Sequence, residues 1–421
     1  MPQRIRIDAT PLRVSRDFRI LFIAGAITLV GSFASYVALP MQMARITHSY
    51  VAVGLMGVVE LIPLVVFGLW GGVLADRVDR RRMVLSCEVS FIAVLAALIW
   101  NALQPEPRAF VLYLAGALFA VIDGLQRPSL EAMLPRLVPS EHLAAAGALQ
   151  SLRSNAAFMV GPAVGGVLVA WAGAQAAYIF DAVTFACSAL LIVRMRPIPP
   201  ASRETSHVLH DLRDGIQYAT SRRDILGTYA VDTIAMVFAY STALFPFLAT
   251  ELHAEWALGA LYSAPAIGSL IASSTSGWTS RVHHHGRMIV FAAMTWGLAI
   301  LLIGVAPNII VVLTLLAIAG AADMVSGLFR SLIWNLTIPD TLRGRLAGIE
   351  MLAYSIGPQL SGVRASFIAR ATSLRASFII GGAITVSALS FVPQGFSSLW
   401  SFDDRTNEHA VREREHRNTA K

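Results

Sequence analysis

The sequence predicts an all-α integral membrane protein with about twelve transmembrane helices arranged as two six-helix bundles. Of its 421 residues, 56% are hydrophobic and only 14% are charged, and the mean hydropathy is +0.62. Because a soluble domain carries roughly 25% charged residues, a soluble protein of this composition could not cover its own surface. Long apolar runs along the chain and a weak similarity between its two halves complete the prediction.

A transmembrane helix needs about 20 mainly apolar residues. The first such run follows an Arg-rich N-terminal arm and is longer than the apolar core of a signal peptide, so we expect an uncleaved first helix. The predicted spans are 20–44, 51–75, 84–103, 109–133, 145–172, 175–195, 226–250, 256–280, 287–306, 309–335, 345–369 and 376–396.

Arginine placement predicts the topology, because short cytoplasmic loops of membrane proteins are enriched in Lys and Arg. The Arg-rich segments alternate along the chain so that both termini are predicted to be cytoplasmic. We expect the C-terminal residues 401–421 to be solvated or disordered. The predicted domains are an N-terminal arm (1–19), a first bundle (20–196), a cytoplasmic linker (197–224), a second bundle (225–396) and a cytoplasmic tail (397–421).

Several residues of the first half have a counterpart at an offset of about 200 in the second, as in transporters built from two parallel repeats. Gly72 matches Gly277, and Asp123 matches Asp323. Because Lys421 is the only lysine, the chain has no Walker A phosphate loop, which needs an internal Lys. ATP binding of that kind is therefore excluded.

The clearest motif lies between the second and third spans, over residues 72–82. Its Gly allows close helix packing, and its Asp can pair with Arg or face the positive end of a helix, so the motif could hold one conformation of a moving protein. A plain positive-inside stop signal would explain the Arg residues but not the Gly and Asp. The predicted gating residues are Gly72, Asp76, Arg77, Arg80, Arg81 and Arg82.

This motif resembles the loop signature of the major facilitator superfamily, with Asp79 where that family usually has Gly. The second-half copy is degenerate, since Arg281 stands at the place of the acid and residues 283–285 are all His. We expect these histidines to form a solvated loop tip; metal binding is the alternative.

A second motif in the fifth span resembles the antiporter motif of the same superfamily, which marks exporters. A Pro-weakened helix with a face of small residues can bend and pack closely, although packing alone would also explain the pattern. The motif residues are Gly161, Pro162, Gly165 and Gly166.

Further segments resemble the branch of the superfamily that holds enterobactin-type siderophore exporters together with macrolide and multidrug efflux pumps. They are 37–42, 47–49, 53–55, 71–77, 101–107 and 258–262. The resemblance implies twelve helices, alternating access, proton antiport and outward transport.

Charged residues at membrane depth are costly and are functional candidates by default. For Asp123 and Arg127, which share one helix face, a structural ion pair competes with proton coupling. Asp181 and Glu88 lie near span ends, where interfacial anchoring explains them, and Arg364 stays unassigned. The candidates for proton coupling or for lining a cavity are Glu60, Asp123, Arg127, Asp232 and Asp323.

Aromatic residues of the first and seventh spans either stack on an aromatic substrate or pack against lipid and helices. They are Phe33, Tyr36, Tyr240 and Phe245.

The sequence thus predicts a proton-coupled exporter of a small organic molecule, with a siderophore as the first candidate and a drug efflux pump as the alternative. A membrane-embedded enzyme or sensor and an ion-driven importer are more distant alternatives. The expected partners are a small-molecule substrate, protons and the lipid bilayer. We expect no nucleic acid, no cofactor, no bound metal and function as a monomer.

Overall fold

The chain folds into long helices, described by a computed structural model over residues 8–75, 77–199 and 217–419. Within these ranges there is no β-strand. Eleven of the helices described are long and apolar enough to cross a membrane. The chain is therefore an all-helical membrane protein, as the composition predicted.

The helices, numbered by the predicted span to which each corresponds, extend beyond most predicted ends. They are helix 1 (Arg16–Thr47), helix 2 (Tyr50–Ala75), helix 3 (Arg80–Ala102), helix 4 (Ala109–Leu137), helix 5 (Leu143–Ala172), helix 6 (Ala174–Ile192), helix 7 (Arg223–Ala239, then Phe245–Glu251), helix 8 (Leu258–Ser274), helix 9 (His285–Ile303), helix 10 (Ile309–Thr337), helix 11 (Asp340–Ala371) and helix 12 (Leu374–Ser390).

Helix 11 has 32 residues, as helix 1 does, yet it is not among the eleven apolar ones. Its sequence includes Arg343, Arg345, Glu350 and Arg364, which lower its hydropathy. The helix is present where the eleventh span was predicted, and its crossing of the membrane stays a prediction.

The helices form two compact units. Unit 1 contains Met1–Glu204 and Ala254–Ser263, and unit 2 contains Thr205–His253 and Ala264–Lys421. The predicted linker lies mostly outside the described residues, since 200–216 are not described. Unit 1 includes the first residues of helix 8, so the unit boundary does not coincide with a boundary between helices.

The same helix pairings occur in both units, which supports the internal repeat. In unit 1, helix 1 packs on helices 5 and 6, and helix 3 packs on helices 4 and 6. In unit 2, helix 7 packs on helices 11 and 12, and helix 9 packs on helices 10 and 12. Helices 2 and 4 are also in contact in unit 1, and helix 8 lies against helix 10 in unit 2 at Gly268 and Gly320.

Close approach of helices 2 and 4 depends on Gly71 and Gly124. A Cβ on Gly71 would lie 2.4 Å from the Gly124 carbonyl oxygen, too close for any other residue. Among the described residues, no heavy atom lies within 4 Å of where a Cβ on Gly72 would stand. Gly71, rather than the predicted Gly72, therefore permits the close packing within unit 1.

The span predicted over 226–250 is present as Arg223–Glu251, but its helix is interrupted, which the sequence analysis did not predict. The first piece ends at Ala239, Tyr240 and Ser241 are non-helical, and the second piece begins at Phe245 after a short 3₁₀ turn. Pro246 in the first turn of the second piece is consistent with this break, because proline has no backbone N–H to donate to a preceding turn.

The tail, expected to be solvated or disordered, is ordered over residues 401–419, and part of it is buried. A helix spans Glu408–Thr419, and both Phe402 and Ala410 are buried in unit 2. His283 Nδ1 lies 2.9 Å from Asp404 Oδ1, and His284 Nδ1 lies 3.8 Å from Asp403 Oδ2. Hydrogen bonds from Arg405 hold the pKa of Asp403 below its ordinary value.

The three adjacent histidines are consequently not a free loop tip. Two of them contact the tail, and His285 is buried against the rings of Phe329 and Phe402. The described residues contain no cluster of His, Cys, Asp and Glu suited to a metal ion.

Candidate transport site

The cationic turn, residues 77–82, holds three helix ends of unit 1 together. Asp79 caps helix 3 by accepting a hydrogen bond of 2.9 Å from the Arg82 backbone N–H. Arg80 Nη1 donates to the Ala132 carbonyl in helix 4 at 2.9 Å, and Arg81 Nε donates to the Ile192 carbonyl at 3.0 Å. A cation at the C-terminal end of a helix is favourable because it meets the negative end of the dipole.

The capping bond explains why Asp stands at position 79, where the family signature usually has Gly. A Gly has no side chain that could accept a hydrogen bond from the N-terminus of helix 3. Asp76, the acid of the predicted gating motif, lies outside the described residues. Arg77 is exposed. The gating role of these residues stays a prediction.

The antiporter-like motif of helix 5 packs directly on helix 1. A Cβ on Gly161 would lie 2.5 Å from Phe33 Cβ, and one on Gly165 would lie 2.6 Å from Ala34 Cα. A Cβ on Gly166 would be similarly close to the backbone of Gly259, at the start of helix 8. This first part of helix 8 belongs to unit 1. The small residues of this motif thus fix the position of the helix 1 segment that carries Phe33.

An aromatic cluster surrounds that segment and consists of Phe33, Tyr36, Phe158 and Tyr262. Ring centroids are 5.2 Å apart for Phe33 and Phe158 and 5.7 Å apart for Tyr36 and Tyr262, both pairs edge to face. Tyr36 is 46% exposed and Phe158 is 37% exposed, so the cluster presents ring surface outside the core of unit 1. Partly exposed aromatic rings held rigidly offer a stacking surface for a flat ligand.

Within the described residues, neither Glu60 of helix 2 nor Asp123 of helix 4 forms a salt bridge. The Glu60 carboxyl packs on Gly116 of helix 4, with Oε1 3.0 Å from where a Cβ would stand. Asp123 is exposed, and Arg127 pairs with Glu131, at 3.5 Å, instead of with Asp123. The expected Asp123–Arg127 salt bridge is therefore absent from the ion pairs of the described residues.

Unit 2 contains a buried ion pair between helices 7 and 10. Arg330 and Asp232 are in direct contact, and they are 3% and 7% exposed. Asp323, two turns before Arg330 on helix 10, interacts electrostatically with both. Asp232 and Asp323, predicted separately from the sequence, thus belong to one cluster around a shared Arg.

Arg364 of helix 11 binds the carbonyl groups that the break in helix 7 leaves without helical partners. Its Nε donates to the Val237 carbonyl at 3.1 Å, and its Nη2 donates to the Phe238 carbonyl at 2.6 Å. Just beyond, the ring of Tyr240 stacks on Trp296 with centroids 6.0 Å apart. Non-helical backbone at membrane depth is tolerated where such protein groups satisfy it.

A family model described as transmembrane secretion effector matches residues 8–404, which is nearly the whole chain. The chain belongs to this family, within the major facilitator superfamily. As a member, it is a multi-pass membrane transporter, in agreement with the resemblance drawn from the loop and antiporter-like motifs.

Proteins of similar sequence include enterobactin exporters. One from Shigella boydii is 29% identical over 380 residues, and one from Escherichia coli is 28% identical over 380 residues. Each match covers 88% of this chain and 90% of the relative.

Solved structures show the same fold at low sequence identity. A mutant of the nucleoside transporter NupG has a TM-score of 0.74 at 13% identity, over 91% of this chain and 99% of that one. A bacterial homologue of the iron transporter ferroportin has a TM-score of 0.68 at 16% identity, over 92% and 99%. At these identities the likeness establishes the fold of this family member and nothing about its substrate.

Three features of the site were missed from the sequence. Phe158 and Tyr262 join the aromatic cluster by helix packing, which spacing in one segment does not reveal. The helix 7 break has a local signal, Ser241-Thr242 shortly before Pro246, that could have found it. The contacts of Arg364 depend on that break.

Replacing Arg364 by Ala should loosen the break in helix 7, because the Val237 and Phe238 carbonyls would lose a charged donor. Hydrogen bonds to charged groups contribute about 1.5–3 kcal/mol. Hydrogen–deuterium exchange of peptides covering 237–244 should therefore become faster in Arg364→Ala. Arg370→Ala, at an exposed position of the same helix, is the matched control, and equal exchange in both variants would contradict the assignment.

Proposed function

We propose that this transporter exports a siderophore-type compound, driven by protons and working by alternating access in the inner membrane of a bacterium. The observation that carries the proposal is the similarity to enterobactin exporters over 88% of the chain and 90% of the relatives. The similarity therefore extends over nearly the whole length of both proteins and is not confined to one motif.

The aromatic cluster supports an aromatic substrate. Catecholate rings are flat and can stack on rings held edge to face, as Phe33 and Phe158 are. Tyr36 offers ring surface and a phenolic hydroxyl that can bond to a polar ligand. Because Gly161 and Gly165 pack against Phe33 and Ala34, movement of helix 5 would move this surface with it.

The export direction rests on the similarity to enterobactin exporters and on the antiporter-like motif, and the proposed topology places both termini in the cytoplasm. The cationic turn would then face the cytoplasm, as the positive-inside rule expects. Its Arg80 and Arg81 bind helix ends within unit 1. In this proposal, Arg77, Arg82 and the acid Asp76 make contacts that differ between conformations.

For proton coupling, the proposed acids are Asp123 and Glu60 in unit 1 and Asp232 and Asp323 in unit 2. Asp123 is exposed on helix 4, and in this proposal its exposed side faces a water-filled cavity through which protons reach it. Asp232 shares Arg330 with Asp323. When one of the two acids is protonated, Arg330 can pair only with the other. The cluster therefore has two states, which differ in the acid that Arg330 pairs with, and such a pair of states suits a conformational change.

Inverted vesicles containing the purified protein should accumulate labelled enterobactin when the lumen is acidic, because the lumen then corresponds to the outside of the cell. Asp123→Asn should reduce this accumulation, since an amide cannot carry the proton. Glu141→Gln, which changes an exposed loop carboxylate, should leave it unchanged. Accumulation of macrolides or dyes but not of enterobactin would overturn the siderophore proposal and favour a drug efflux pump.

Truncation of the aromatic cluster should weaken substrate binding without abolishing transport. An aromatic contact contributes about 1 kcal/mol beyond area burial, so Tyr36→Ala should raise the apparent KM roughly fivefold. Phe110→Ala removes an exposed ring elsewhere in unit 1 and is the matched control. An equal effect of the two variants, measured as initial uptake rates against substrate concentration, would contradict a role of the cluster in binding.

A further inference from the structure

A row of buried polar side chains follows the interfaces that helix 6 makes with helices 1 and 3. Near one end, Tyr178 donates a hydrogen bond of 2.8 Å to Gln42 Oε1. In the middle, Ser35 donates to Asp181 Oδ2 at 2.6 Å. Near the other end, Gln126 of helix 4 donates to Glu88 Oε1 at 3.0 Å. Asp181 and Glu88 were expected to be interfacial anchors, and that expectation is wrong, because they are 2% and 4% exposed.

Asp181 packs against helix 1 at Gly31, where the absence of a side chain leaves room for its carboxylate. A Cβ on Gly31 would lie 2.6 Å from Asp181 Oδ1 and 2.1 Å from Thr184 Oγ1, so only Gly leaves room for both. Ser35 stands one turn further along the same face. Ser35 thus donates to the Asp181 carboxylate, while the Thr184 hydroxyl donates to the Asp181 main-chain carbonyl at 2.7 Å and lies 3.3 Å from Oδ1.

Glu88 is incompletely satisfied. Its Oε1 accepts from Gln126, but its Oε2 is buried and has no hydrogen-bond partner among the described residues. Ser188 of helix 6 lies beside this carboxyl, is fully buried, and its Oγ also lacks a well-formed hydrogen bond. Glu88 in turn interacts electrostatically with Asp181.

No cation in the described part of the chain neutralises this pair of acids by a salt bridge. Arg153 of helix 5 is directed at Gly25 and the Phe22 ring of helix 1, and Arg81 binds the end of helix 6. Among the described residues, Asp123 of helix 4 is another acid in this region, and it interacts electrostatically with Cys87, the residue before Glu88. Helix 1 contributes only the Ser35 hydroxyl.

Two carboxylates without a counter-ion cannot both be ionised at this buried position. The free-energy cost of burying an isolated charge far exceeds the stabilisation from the available hydroxyl hydrogen bonds. The pair must therefore hold protons in this conformation. Glu88 Oε2 and the Ser188 hydroxyl lie close together without a hydrogen bond of good geometry, so a small shift of helix 6 against helix 3 would change how the Glu88 carboxyl is satisfied.

We propose that Glu88 and Asp181 form a further protonation site inside unit 1, which carries a transported proton in addition to the acids proposed above. The inference rests on the proposed function of proton-driven export. One proton binds to a carboxylate oxygen of the pair in the conformation described here. It leaves, as the pair becomes ionised, in the conformation that admits water to the interface of helices 1, 3 and 6.

Helix 1 connects this site to the substrate surface. Ser35 bonds to Asp181 on the buried side, and the next residue, Tyr36, belongs to the exposed aromatic cluster. A shift of this helical turn on substrate binding would therefore change the Ser35–Asp181 hydrogen bond directly.

Infrared spectroscopy of the protein in lipid nanodiscs tests the protonation without any substrate. A carboxylic C=O band that titrates between acidic and alkaline pH should lose intensity in Glu88→Gln and in Asp181→Asn, and should persist in Glu141→Gln. An unchanged band in both site variants overturns the inference, whether or not the chain is a proton-driven exporter.

Transport in the same variants tests the coupling, using the compound that the wild-type protein accumulates. Both variants should keep exchange of labelled for unlabelled substrate, which needs no net proton movement, and should lose accumulation driven by the pH gradient. Glu88→Asp, which retains the acid, should restore part of it. Accumulation at the wild-type level in both variants, or loss of exchange as well, contradicts a coupling role. Failure of the wild-type protein to accumulate substrate contradicts the proposed function instead.

Discussion

Burying a polar group among lipid hydrocarbon or apolar side chains has a high free-energy cost. This cost determines where the charged residues of this chain lie. A charged side chain at membrane depth must find a partner inside the protein or face water. Arg364 binds the carbonyl groups of an interrupted helix, and Arg330 binds Asp232. Asp181 and Glu88 turn inward to hydroxyl and amide groups.

The two units meet this constraint in different ways although their helix pairings correspond. Unit 2 places an Arg between two acids on helices 7 and 10. Unit 1 places two acids among neutral donors, with no cation to balance them in the residues described. In unit 2, protonation of one acid leaves Arg330 with a second acid beside it, whereas the acids of unit 1 have no cation in the described residues and require protons to remain buried. We therefore expect the packing of unit 1 to depend more strongly on protonation than that of unit 2.

Much of the fold was predictable because long apolar runs show where membrane helices lie along the chain, and eleven of the twelve predicted spans correspond to helices apolar enough to cross a membrane. The loop motif and the Gly161-Pro162 pattern pointed to the superfamily, and Asp232 and Asp323 were both proposed before their cluster was seen. The interruption of helix 7, by contrast, depends on Arg364 from a distant helix, and a continuous apolar run concealed it. Asp181 and Glu88 were misjudged because distance from a span end says little about which face of the helix is buried.

The docked tail shows the same limit in a polar segment. Residues 402–405 contain few apolar groups, yet Phe402 is buried and the two acids meet the histidines of a loop more than a hundred residues earlier. Composition predicted a solvated tail because it cannot report a specific partner elsewhere in the chain.

Proton counter-movement is the most direct test of the account as a whole. Inverted vesicles with an acidic lumen and a trapped pH-sensitive dye would receive enterobactin from outside. Coupled export predicts that the lumen becomes less acidic only when both substrate and functional protein are present, and that Asp181→Asn abolishes the change. Movement of labelled enterobactin into the lumen without any change in the dye would contradict proton-driven export.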